Sequence, residues 1–375
     1  MSMESIKYCA PCLFGVEGLL GGELRRMDAK SVAPQNGRVL FEGGREMLAR
    51  ANIGSRYAER IQVCMGQFSA KSFDELFVGV RALPWEQWIG KNDKFPVKGW
   101  ALESTLHSVP DCQSIIKKAI VERLSEKYRI KWFEETGSMY QIQFTILKDE
   151  VTMLIDTSGP GLHKRGYRAQ SVTAPIKETL AAAIADLARV RFGGRVFDPC
   201  CGSGTLLIES ALAALRIAPG ISRDFTASSW QNVSTGIWKQ ERQRAREMER
   251  RETGFSAWGG DIDPSALALT AQNSAKAKLA EFITTANQPL SQFTLDGDSG
   301  IVMCNPPYGE RISNTEEVES LYREMGRIFV PRSGWSYFII SPHEDFEELF
   351  GRPAAKRRKL YNGMLKCNLF MYFDD

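Results

Sequence analysis

Residues 196–204 read Val-Phe-Asp-Pro-Cys-Cys-Gly-Ser-Gly, and this stretch decides the fold. An apolar strand that ends at Asp198 runs into a glycine-rich turn, and residues 205–215 continue as an apolar helix. A Gly-x-Gly sequence lets the backbone approach a ligand where a Cβ would clash, and the helix that follows presents unpaired N–H groups. Ligands of open α/β sheets bind beyond the carboxyl ends of the strands, so the turn is a predicted binding site.

The turn differs from the dinucleotide fingerprint G-x-G-x-x-G, because Thr205, Leu206 and Leu207 follow Gly204 where a third glycine would be needed. The acidic Asp198 before the turn also suits a cationic, amine-bearing ligand better than a pyrophosphate. The pattern therefore favours S-adenosylmethionine over NAD. An ordinary strand-to-helix connection is the alternative when the turn is considered alone. The residues of the turn expected to bind the cofactor are Asp198, Pro199, Cys200, Gly202, Ser203 and Gly204.

The composition is that of a soluble globular protein. The chain has 375 residues, of which 43% are hydrophobic and 25% charged, so it is long enough for two or three domains. With 48 Lys and Arg against 45 acidic residues, the formal net charge is only +3. That balance is too small to indicate nucleic-acid binding, which has to be inferred from where the basic residues lie.

The cysteines and histidines predict neither a disulfide framework nor a metal site. Eight cysteines are scattered along the chain, and Cys200 and Cys201 are adjacent inside the turn. Cys9 and Cys12 form a lone C-x-x-C, but zinc would need a second pair of ligands and only three histidines are present. The first residues lack a basic region followed by an uninterrupted apolar run, and no run of ~18 apolar residues occurs, so we expect no membrane span and a cytoplasmic location.

The first half of the chain alternates short strands with helices, which predicts α+β units. Residues 110–128 have apolar side chains at helical spacing, and residues 140–156 read as a hairpin with a two-residue turn. Lys117 and Lys118 lie on the polar side of the helix and are candidate RNA contacts. A solvated helix face is the simpler explanation of these lysines when they are taken alone.

Residues 163–168 are a second candidate for RNA binding. Four of these six residues are basic and one is aromatic. Basic residues beside an aromatic ring suit phosphate contacts combined with base stacking. We therefore expect Lys164, Arg165, Tyr167 and Arg168 to contact RNA, although an exposed linker between domains explains the composition equally well.

Polar side chains stand at the ends of three predicted strands, Asp198, Asp261 and Asn305 in chain order. In a doubly wound sheet they would meet in one crevice. A carboxylate after the second strand can accept both hydroxyls of a ribose, which predicts that Asp261 binds the nucleoside part of the cofactor. Ile262 can cover the adenine face. Helix capping is the alternative role for these acids, and it suits Asp263 better than Asp261.

The most specific signal is the loop of Asn305, Pro306, Pro307 and Tyr308. An exocyclic amine on a base is a poor nucleophile because its lone pair is delocalised into the ring. The side-chain oxygen of Asn305 and the carbonyl of Pro306 can accept its two hydrogens, which aims the lone pair, and successive prolines stiffen the loop. Tyr308 offers a face on which a flipped base stacks. These four residues are the predicted catalytic residues, and Asn305 is also expected to contact the cofactor. A Pro-Pro turn that ends a strand is the structural alternative.

These motifs resemble those of class I methyltransferases that modify exocyclic amines. More narrowly, nearly the whole chain resembles the THUMP-domain RNA guanine methyltransferases, which include bacterial enzymes acting on ribosomal RNA of the large subunit. The segments that carry the resemblance are residues 163–168, 174–181, 198–205, 260–264, 305–311 and 359–367.

The resemblance implies an α/β fold in which a Rossmann-like class I methyltransferase domain is preceded by α+β ferredoxin-like and THUMP modules that grip RNA. The expected boundaries are residues 1–60 for the ferredoxin-like unit, 61–157 for the THUMP domain and 158–375 for the methyltransferase domain. One departure concerns the third strand, which in such enzymes usually ends in an acid that touches the adenine amino group. Asn287 is the candidate replacement here.

The combined prediction is an S-adenosylmethionine-dependent RNA methyltransferase that forms N2-methylguanosine, with ribosomal RNA as the expected substrate and tRNA as an alternative. An adenine-amine (N6) methyltransferase acting on RNA or DNA would use the same four-residue loop. A non-catalytic RNA-binding assembly factor is the third alternative, against which the intact Asn305, Pro306 and Tyr308 argue.

Overall fold

The computed structural model describes residues 5–168, 176–252, 254–308 and 315–373. The chain divides into two compact units. Unit 1 consists of Met1–Cys12, Gly21–Leu162 and Asp224–Gln243, and unit 2 of Leu13–Leu20, His163–Arg223 and Arg244–Asp375. Each unit thus includes one short segment whose neighbours along the chain belong to the other unit. The domain boundaries expected at residues 60 and 157 stay a prediction.

Unit 1 is built on a sheet to which seven strands of the described residues contribute. The strands are β1 (Ile6–Pro11), β2 (Lys30–Gln35), β3 (Arg38–Gly43), β4 (Gln62–Ser69), β5 (Val97–Leu102), β6 (Gln141–Leu147) and β7 (Glu150–Asp156). The helices between them in the chain are α1 (Glu17–Arg26), α2 (Arg45–Gly54), α3 (Phe73–Arg81) and α4 (Val109–Tyr128). The order of the strands is β2-β3-β1-β4-β7-β6-β5, so β2 and β5 are the edges.

Local sequence determines several of these elements. Lys148 and Asp149 connect β6 to β7 with φ angles of 53° and 65°, the left-handed pair that a two-residue hairpin requires, and the predicted hairpin is confirmed. Helix α4 is also confirmed, since its buried side chains recur every three or four residues. Strand β2 has no such pattern, because it is exposed nearly throughout and contains Pro34; its pairing with β3 defines it.

Unit 2 is built on a second sheet, and seven strands of the described residues form it. The strands are β8 (Arg195–Asp198), β9 (Ser256–Asp261), β10 (Ile283–Asn287), β11 (Gly300–Cys304), β12 (Trp335–Ser341), β13 (Lys356–Asn362) and β14 (Leu365–Tyr372). The helices of unit 2 are α5 (Glu178–Leu187), α6 (Thr205–Ala214), α8 (Pro264–Lys276), α9 (Thr315–Ile328) and α10 (Phe346–Phe350). Helix α7 (Thr235–Glu247) lies between α6 and α8 in the chain, but its residues up to Gln243 belong to unit 1.

The strand order in unit 2 is β10-β9-β8-β11-β12-β14-β13. The first five strands in this order are parallel, and β14 is antiparallel to both of its neighbours. The chain winds outward in one direction from β8 through β9 to β10, and then returns to the other side of β8 with β11. This topological switch confirms the predicted doubly wound, Rossmann-like sheet and opens a crevice at the carboxyl ends of β8 and β11.

The segment 224–243 is part of unit 1. Its Trp230 stacks on Tyr140 at 4.2 Å between ring centroids and donates a hydrogen bond to the carbonyl of Met139. In α7 the mixed charges suggest a solvated helix, but Glu241 is buried and accepts two hydrogen bonds of 2.9 Å from Arg50. The charge pattern alone therefore mispredicts this face of α7, because Glu241 and its partner lie far apart in sequence.

Candidate cofactor and substrate site

The carboxyl ends of four neighbouring strands bring the predicted polar side chains together. Asp198 ends β8, Asp261 ends β9, Asn287 ends β10, and Asn305 directly follows β11. Asn287 and Asp261 are register partners in adjacent strands. Because all four strands are parallel, these side chains lie along one edge of the sheet, as the sequence predicts.

Helix α8 holds the glycine-rich turn in place. The Thr270 hydroxyl donates to the carbonyl of Gly202 at 2.8 Å, and the Asn273 side chain donates to the carbonyl of Ser203 at 3.0 Å. Both donor residues are buried. Two carbonyls of the turn thus accept hydrogen bonds from side chains of α8, and these bonds fix the shape of the turn before any ligand binds.

Two glycines of the turn have φ angles that other residues rarely adopt. At Gly204 (φ +77°) a Cβ would lie 2.7 Å from the Thr270 Cγ2 atom, so this glycine permits the close packing of the turn on α8. At Gly202 (φ +53°) a Cβ would meet no atom of the described residues within 4 Å. Gly202 therefore exposes backbone to open space, as a cradle for a ligand requires.

Asp198 shapes the turn from inside. Its side chain is only 1% exposed, and its Oδ1 atom accepts a hydrogen bond of 3.1 Å from the backbone N–H of Cys200. Burial raises the pKa of Asp198 to about 8; the nearby charge of Asp261 adds to this, while the bonds from Cys200 and Cys304 oppose it. The predicted contact with an amine-bearing ligand is not supported by this burial, which assigns Asp198 to holding the turn.

Asp261 joins the turn to the second strand. Its Oδ2 atom accepts from the Gly202 N–H at 2.9 Å and its Oδ1 atom from the Asp263 N–H at 3.0 Å. A carboxylate has about four acceptor positions, so two are left for the hydroxyls of a ribose. Asp263 caps α8 by accepting from the Ser265 N–H, which agrees with the capping role expected for it.

The two remaining positions predicted to contact the adenosine also lie at this edge. Ile262 is 74% exposed, which leaves an apolar surface for a flat ring. The Asn287 amide donates to the carbonyl of Asp261 at 2.9 Å. This bond uses the nitrogen of the amide and leaves its oxygen as an acceptor, the property that an acid would supply at this position.

Asn305 has the most informative side chain of the site. It is 8% exposed, and its Oδ1 atom has no hydrogen-bond partner among the described residues. Pro306 is also buried, while Pro307 and Tyr308 are half-buried. A buried acceptor without a donor is rare in native proteins, so this atom is a candidate to receive a donor from a ligand.

Tyr308 is positioned by a residue that the sequence did not identify as part of the site. The Asn362 side chain, at the end of β13, donates to the Tyr308 hydroxyl at 3.0 Å. In the sequence, Asn362 and Gly363 form an Asn-Gly pair, which indicates only a hairpin turn. The signal that could have identified Asn362 is the sheet order, which returns β13 and β14 to the edge beyond β12.

The basic segment 163–168 requires a correction. Arg165 and Tyr167 are buried, and both contact the fully buried Glu209, Arg165 as an ion pair of 3.5 Å and Tyr167 through a hydrogen bond of 3.0 Å. Burial, and next the charge of Glu209, raise the pKa of Tyr167. A side chain committed to a buried carboxylate is not presented to RNA, so the structure does not support the predicted contacts of these two residues.

Arg168 and Lys164, in the same segment, differ in their contacts and exposure. The Arg168 guanidinium donates to the Thr205 hydroxyl at 2.6 Å and lies 3.4 Å from the carboxylate of Glu178, so it holds the start of α6. Lys164 is exposed. Residues 174–175 and 309–311, which carry part of the family resemblance, lie outside the described residues.

The two candidate lysines of α4 also differ in burial and in ion pairing. Lys117 is half-buried, pairs with Glu135 at 2.5 Å and lies over the Phe95 ring, and burial lowers its pKa. These contacts fix Lys117 within unit 1. Lys118 is exposed, so it stays a candidate for a phosphate contact.

A doubly wound sheet with a Gly-x-Gly turn after its first strand, an acid after the second and an Asn-Pro-Pro-Tyr loop after the fourth defines a class I, S-adenosylmethionine-dependent methyltransferase. Three domain families match the sequence in order: an RlmL ferredoxin-like domain at residues 7–62, a THUMP domain at 70–156, and an RMKL-like methyltransferase domain at 165–370. The chain belongs to the RMKL-like methyltransferase family, because this last match covers more than half of it.

Relatives of known name agree with this assignment. The chain is 40% identical over 374 residues to YpsC of Bacillus subtilis, whose name proposes that it is an RNA methyltransferase; the match covers 99% of this chain and 97% of YpsC. It is 33% identical over 389 residues to the ribosomal RNA large subunit methyltransferase K/L of Syntrophotalea carbinolica. That match covers 98% of this chain but only 53% of the relative, so the chain spans about half the length of the K/L enzyme.

Solved structures share the whole fold. A protein of Listeria monocytogenes described as a predicted N6-adenine-specific DNA methylase is 42% identical with a TM-score of 0.94, and the match covers 100% of this chain and 97% of that protein. SMU.472, a candidate methyltransferase solved in complex with S-adenosylhomocysteine, is 38% identical with a TM-score of 0.94 and 99% coverage of both chains.

Neither a membrane-spanning helix nor a metal site is found among the described residues. No helix in this part of the chain combines the length and the apolar character needed to cross a membrane. Within the same residues, no three His, Cys, Asp or Glu side chains lie close enough together to hold a metal ion.

Proposed function

We propose that this protein is an S-adenosylmethionine-dependent RNA methyltransferase that forms N2-methylguanosine, in the cytoplasm and in RNA of the large ribosomal subunit. The observation that carries the proposal is the buried Asn305 Oδ1 atom, which has no partner among the described residues. An unpaired buried acceptor costs about 1–3 kcal/mol, so a site that keeps one is suited to a donor that arrives with its substrate.

An exocyclic amine of a nucleobase is such a donor. The Asn305 Oδ1 atom and the carbonyl of Pro306 would each accept one of its hydrogens, and the lone pair of the nitrogen would then point out of the ring plane. The two prolines fix the backbone φ angles of the loop, so little ordering is needed when the base binds. S-adenosylmethionine supplies an activated methyl group. The rate enhancement comes chiefly from this positioning, since no strong base is required.

The cofactor fits the other three strand ends. Asp261 retains acceptor positions for the ribose, Ile262 provides an exposed apolar face, and the Asn287 oxygen is available to the amino group of adenine. The open space beside Gly202 suits the methionine portion. The residues proposed to bind the cofactor are therefore at the turn and at these three positions, with Asp198 acting through the turn.

RNA as the substrate is supported by unit 1 as well as by the names of the relatives. Edge strand β5 exposes Lys98, Trp100 and Leu102 on one face, with the intervening residues half-buried. An exposed tryptophan beside a lysine suits base stacking and a phosphate contact. Lys118 of unit 1 and Lys164 of unit 2 are further exposed candidates. We expect unit 1 to provide most of the affinity for RNA because the net charge of the chain is small.

The second candidate is methylation of an adenine amine, which the description of the Listeria structure favours. An asparagine oxygen and a carbonyl accept the hydrogens of either amine, so the loop itself does not select the base. The choice of guanine rests on the family resemblance of the whole chain.

Mass spectrometry of nucleosides tests the proposal. Large-subunit ribosomal RNA from cells that lack the gene is incubated with the protein and S-adenosylmethionine, then digested. We expect N2-methylguanosine to appear with the wild-type protein and to be nearly absent with Asn305→Ala, while Asn36→Ala, an exposed residue outside the site, serves as the matched active control. Methyladenosine would establish the second candidate instead, and the absence of any methylated nucleoside would overturn both.

A further inference from the structure

Unit 2 contains a contact between two parts of the chain that are remote in sequence. The carbonyl of Gly15 accepts hydrogen bonds from Arg358 Nε at 3.1 Å and Nη2 at 2.6 Å. A Cβ on Gly15 would lie 2.7 Å from the carbonyl oxygen of Lys359, and the φ angle of Gly15 is +87°. Only glycine allows this close approach, so the segment 13–20 is fitted to the edge strand β13.

The contact places an exposed aromatic ring on the hairpin of β13 and β14. Phe14 is 55% exposed, yet it packs edge-on against Tyr361 with 6.0 Å between the ring centroids. Tyr361 is itself only half-buried. Neighbouring exposed apolar side chains form a patch, and such a patch is typical of an interaction site when polar residues surround it.

Basic side chains surround these rings. Lys359 lies two residues before Tyr361 on the same face of β13, with its ammonium 5.5 Å from the Tyr361 ring, and Lys366 is the cross-strand partner of Tyr361. Both lysines are exposed, and among the described residues neither forms an ion pair with a carboxylate. Arg357, in contrast, pairs with Glu347. We call Phe14, Lys359, Tyr361 and Lys366 the hairpin patch.

The hairpin patch borders the substrate loop across the edge strand β13. Asn362 follows Tyr361 directly and donates to the hydroxyl of Tyr308. Successive side chains of a strand point to opposite faces, so Tyr361 and Asn362 lie on opposite faces of β13, and these faces meet along the free edge of the sheet. An RNA strand that presents a base at Tyr308 and passes around this edge would bring its neighbouring nucleotides over the patch.

We propose that the hairpin patch binds single-stranded RNA beside the target nucleotide, with a flanking base stacked on Phe14 and Tyr361 and phosphates contacting Lys359 and Lys366. The inference rests on the proposed function and extends it, because it specifies an unpaired flanking segment as part of the substrate. Stacking requires an exposed base face, which a continuous duplex does not offer.

Fluorescence anisotropy with the full chain tests this proposal without catalysis. The probes are a labelled single-stranded oligoadenylate and an RNA duplex of equal length. Phe14→Ala combined with Tyr361→Ala should weaken binding of the single strand about tenfold or more and change binding of the duplex little. Phe14→Tyr and Tyr361→Phe keep both rings and should retain the affinity. Phe192→Ala, which removes another exposed ring of unit 2, is the matched control.

The lysines are tested through the salt dependence. Replacing both Lys359 and Lys366 with serine should reduce the slope of log affinity against log salt by about 1.4 for the single strand. The same change at Lys276 and Lys278, exposed lysines elsewhere in unit 2, should leave the slope unchanged. Unaltered single-strand affinity in the double aromatic variant, or an equal loss on the duplex, would overturn the proposal.

The outcome is separable from that of the proposed function. Affinity for S-adenosylmethionine, measured by calorimetry, should be the same in all of these variants. None of the substituted residues lies at the carboxyl ends of β8, β9, β10 and β11, where the cofactor is proposed to bind. A methyladenosine product would overturn the choice of guanine but leave the stacking result intact. Conversely, a methylated guanine product together with unchanged single-strand affinity in the double aromatic variant would overturn the role of the hairpin patch and leave the proposed function intact.

Discussion

Two groups of polar residues in unit 2 were both predicted from the sequence to contact ligands, and the structure agrees with the predicted location of only one group. Asp198, Asp261 and Asn305 were placed in one crevice because each ends a strand, and the sheet brings them to one edge. Arg165 and Tyr167 were assigned to RNA because of their composition, and both are buried against Glu209.

The first prediction was based on the position of residues in a sheet, and the second on local composition alone. The position of a residue at the end of a parallel strand fixes where it will be in any doubly wound sheet, whatever its surroundings. A run of basic and aromatic residues carries no such information, because a single buried carboxylate elsewhere in the chain is enough to turn it inward. Glu209 is that carboxylate, and as one acidic residue in the apolar helix α6 it is the sequence signal that was overlooked.

The largest expected effect concerns Arg165. Arg165→Met leaves the buried Glu209 without its cation and should lower the free energy of unfolding by about 3–5 kcal/mol, measured by denaturant titration. Lys164→Met, its exposed neighbour, should change the stability by less than about 0.5 kcal/mol. Combining Arg165→Met with Glu209→Gln should recover part of the loss. A stable Arg165→Met protein with much weaker RNA binding would restore the original interpretation.

Asn305 tests the group of polar residues at the strand ends. Asn305→Ala removes one of two acceptors for the amine and should lower kcat by about 100- to 1000-fold, with little change in the affinity for the cofactor. Asn305→Asp keeps an acceptor and should retain more activity than alanine. Single-turnover methylation assays measure both. An alanine variant as active as the wild type would contradict activation of the amine by this residue.

Substitutions at Asp261 and Asp263 distinguish a ligand contact from a helix cap. Asp261→Ala removes the acceptors proposed for the ribose, and at about 1.5 kcal/mol for each hydrogen bond it should weaken S-adenosylmethionine binding on the order of 100-fold in calorimetry. Asp263→Ala should cost about 1 kcal/mol of stability through the lost cap and leave the affinity unchanged. If both variants bind the cofactor normally, the ribose is held elsewhere.

Asp198 should make stability depend on pH. Its folded pKa of about 8 lies above the unfolded value near 3.9, so between these limits the folded protein holds one more proton than the unfolded chain. The contribution of Asp198 is therefore most favourable at low pH and falls by at most about 1.4 kcal/mol per pH unit as the pH rises toward 8. Asp198→Asn should lack this slope. Parallel stability profiles of the two proteins between pH 5 and 8 would contradict the raised pKa.

The sequence predicted most of the second sheet because its strands are apolar runs that end in polar turns. It did not predict β2, whose exposed residues acquire their conformation from pairing with β3. It also missed Asn362 as a site residue, since only the return of β13 to the far edge of the sheet brings that side chain to Tyr308. The miss of Asn362 depends on a partner that is distant in the chain, which no local pattern records, whereas β2 pairs with the next strand across the short Asn36-Gly37 turn.

The exchanged segments set a condition on how the protein is made. Gly15 leaves the ribosome early, but its hydrogen-bond partner Arg358 is 343 positions away and is synthesised long afterwards. Unit 1 likewise waits for the segment 224–243, which supplies Trp230 and Glu241 to its core. Neither unit can therefore reach its final form while translation is confined to the first half of the message, and a cut at residue 158 would leave each unit without a piece of itself.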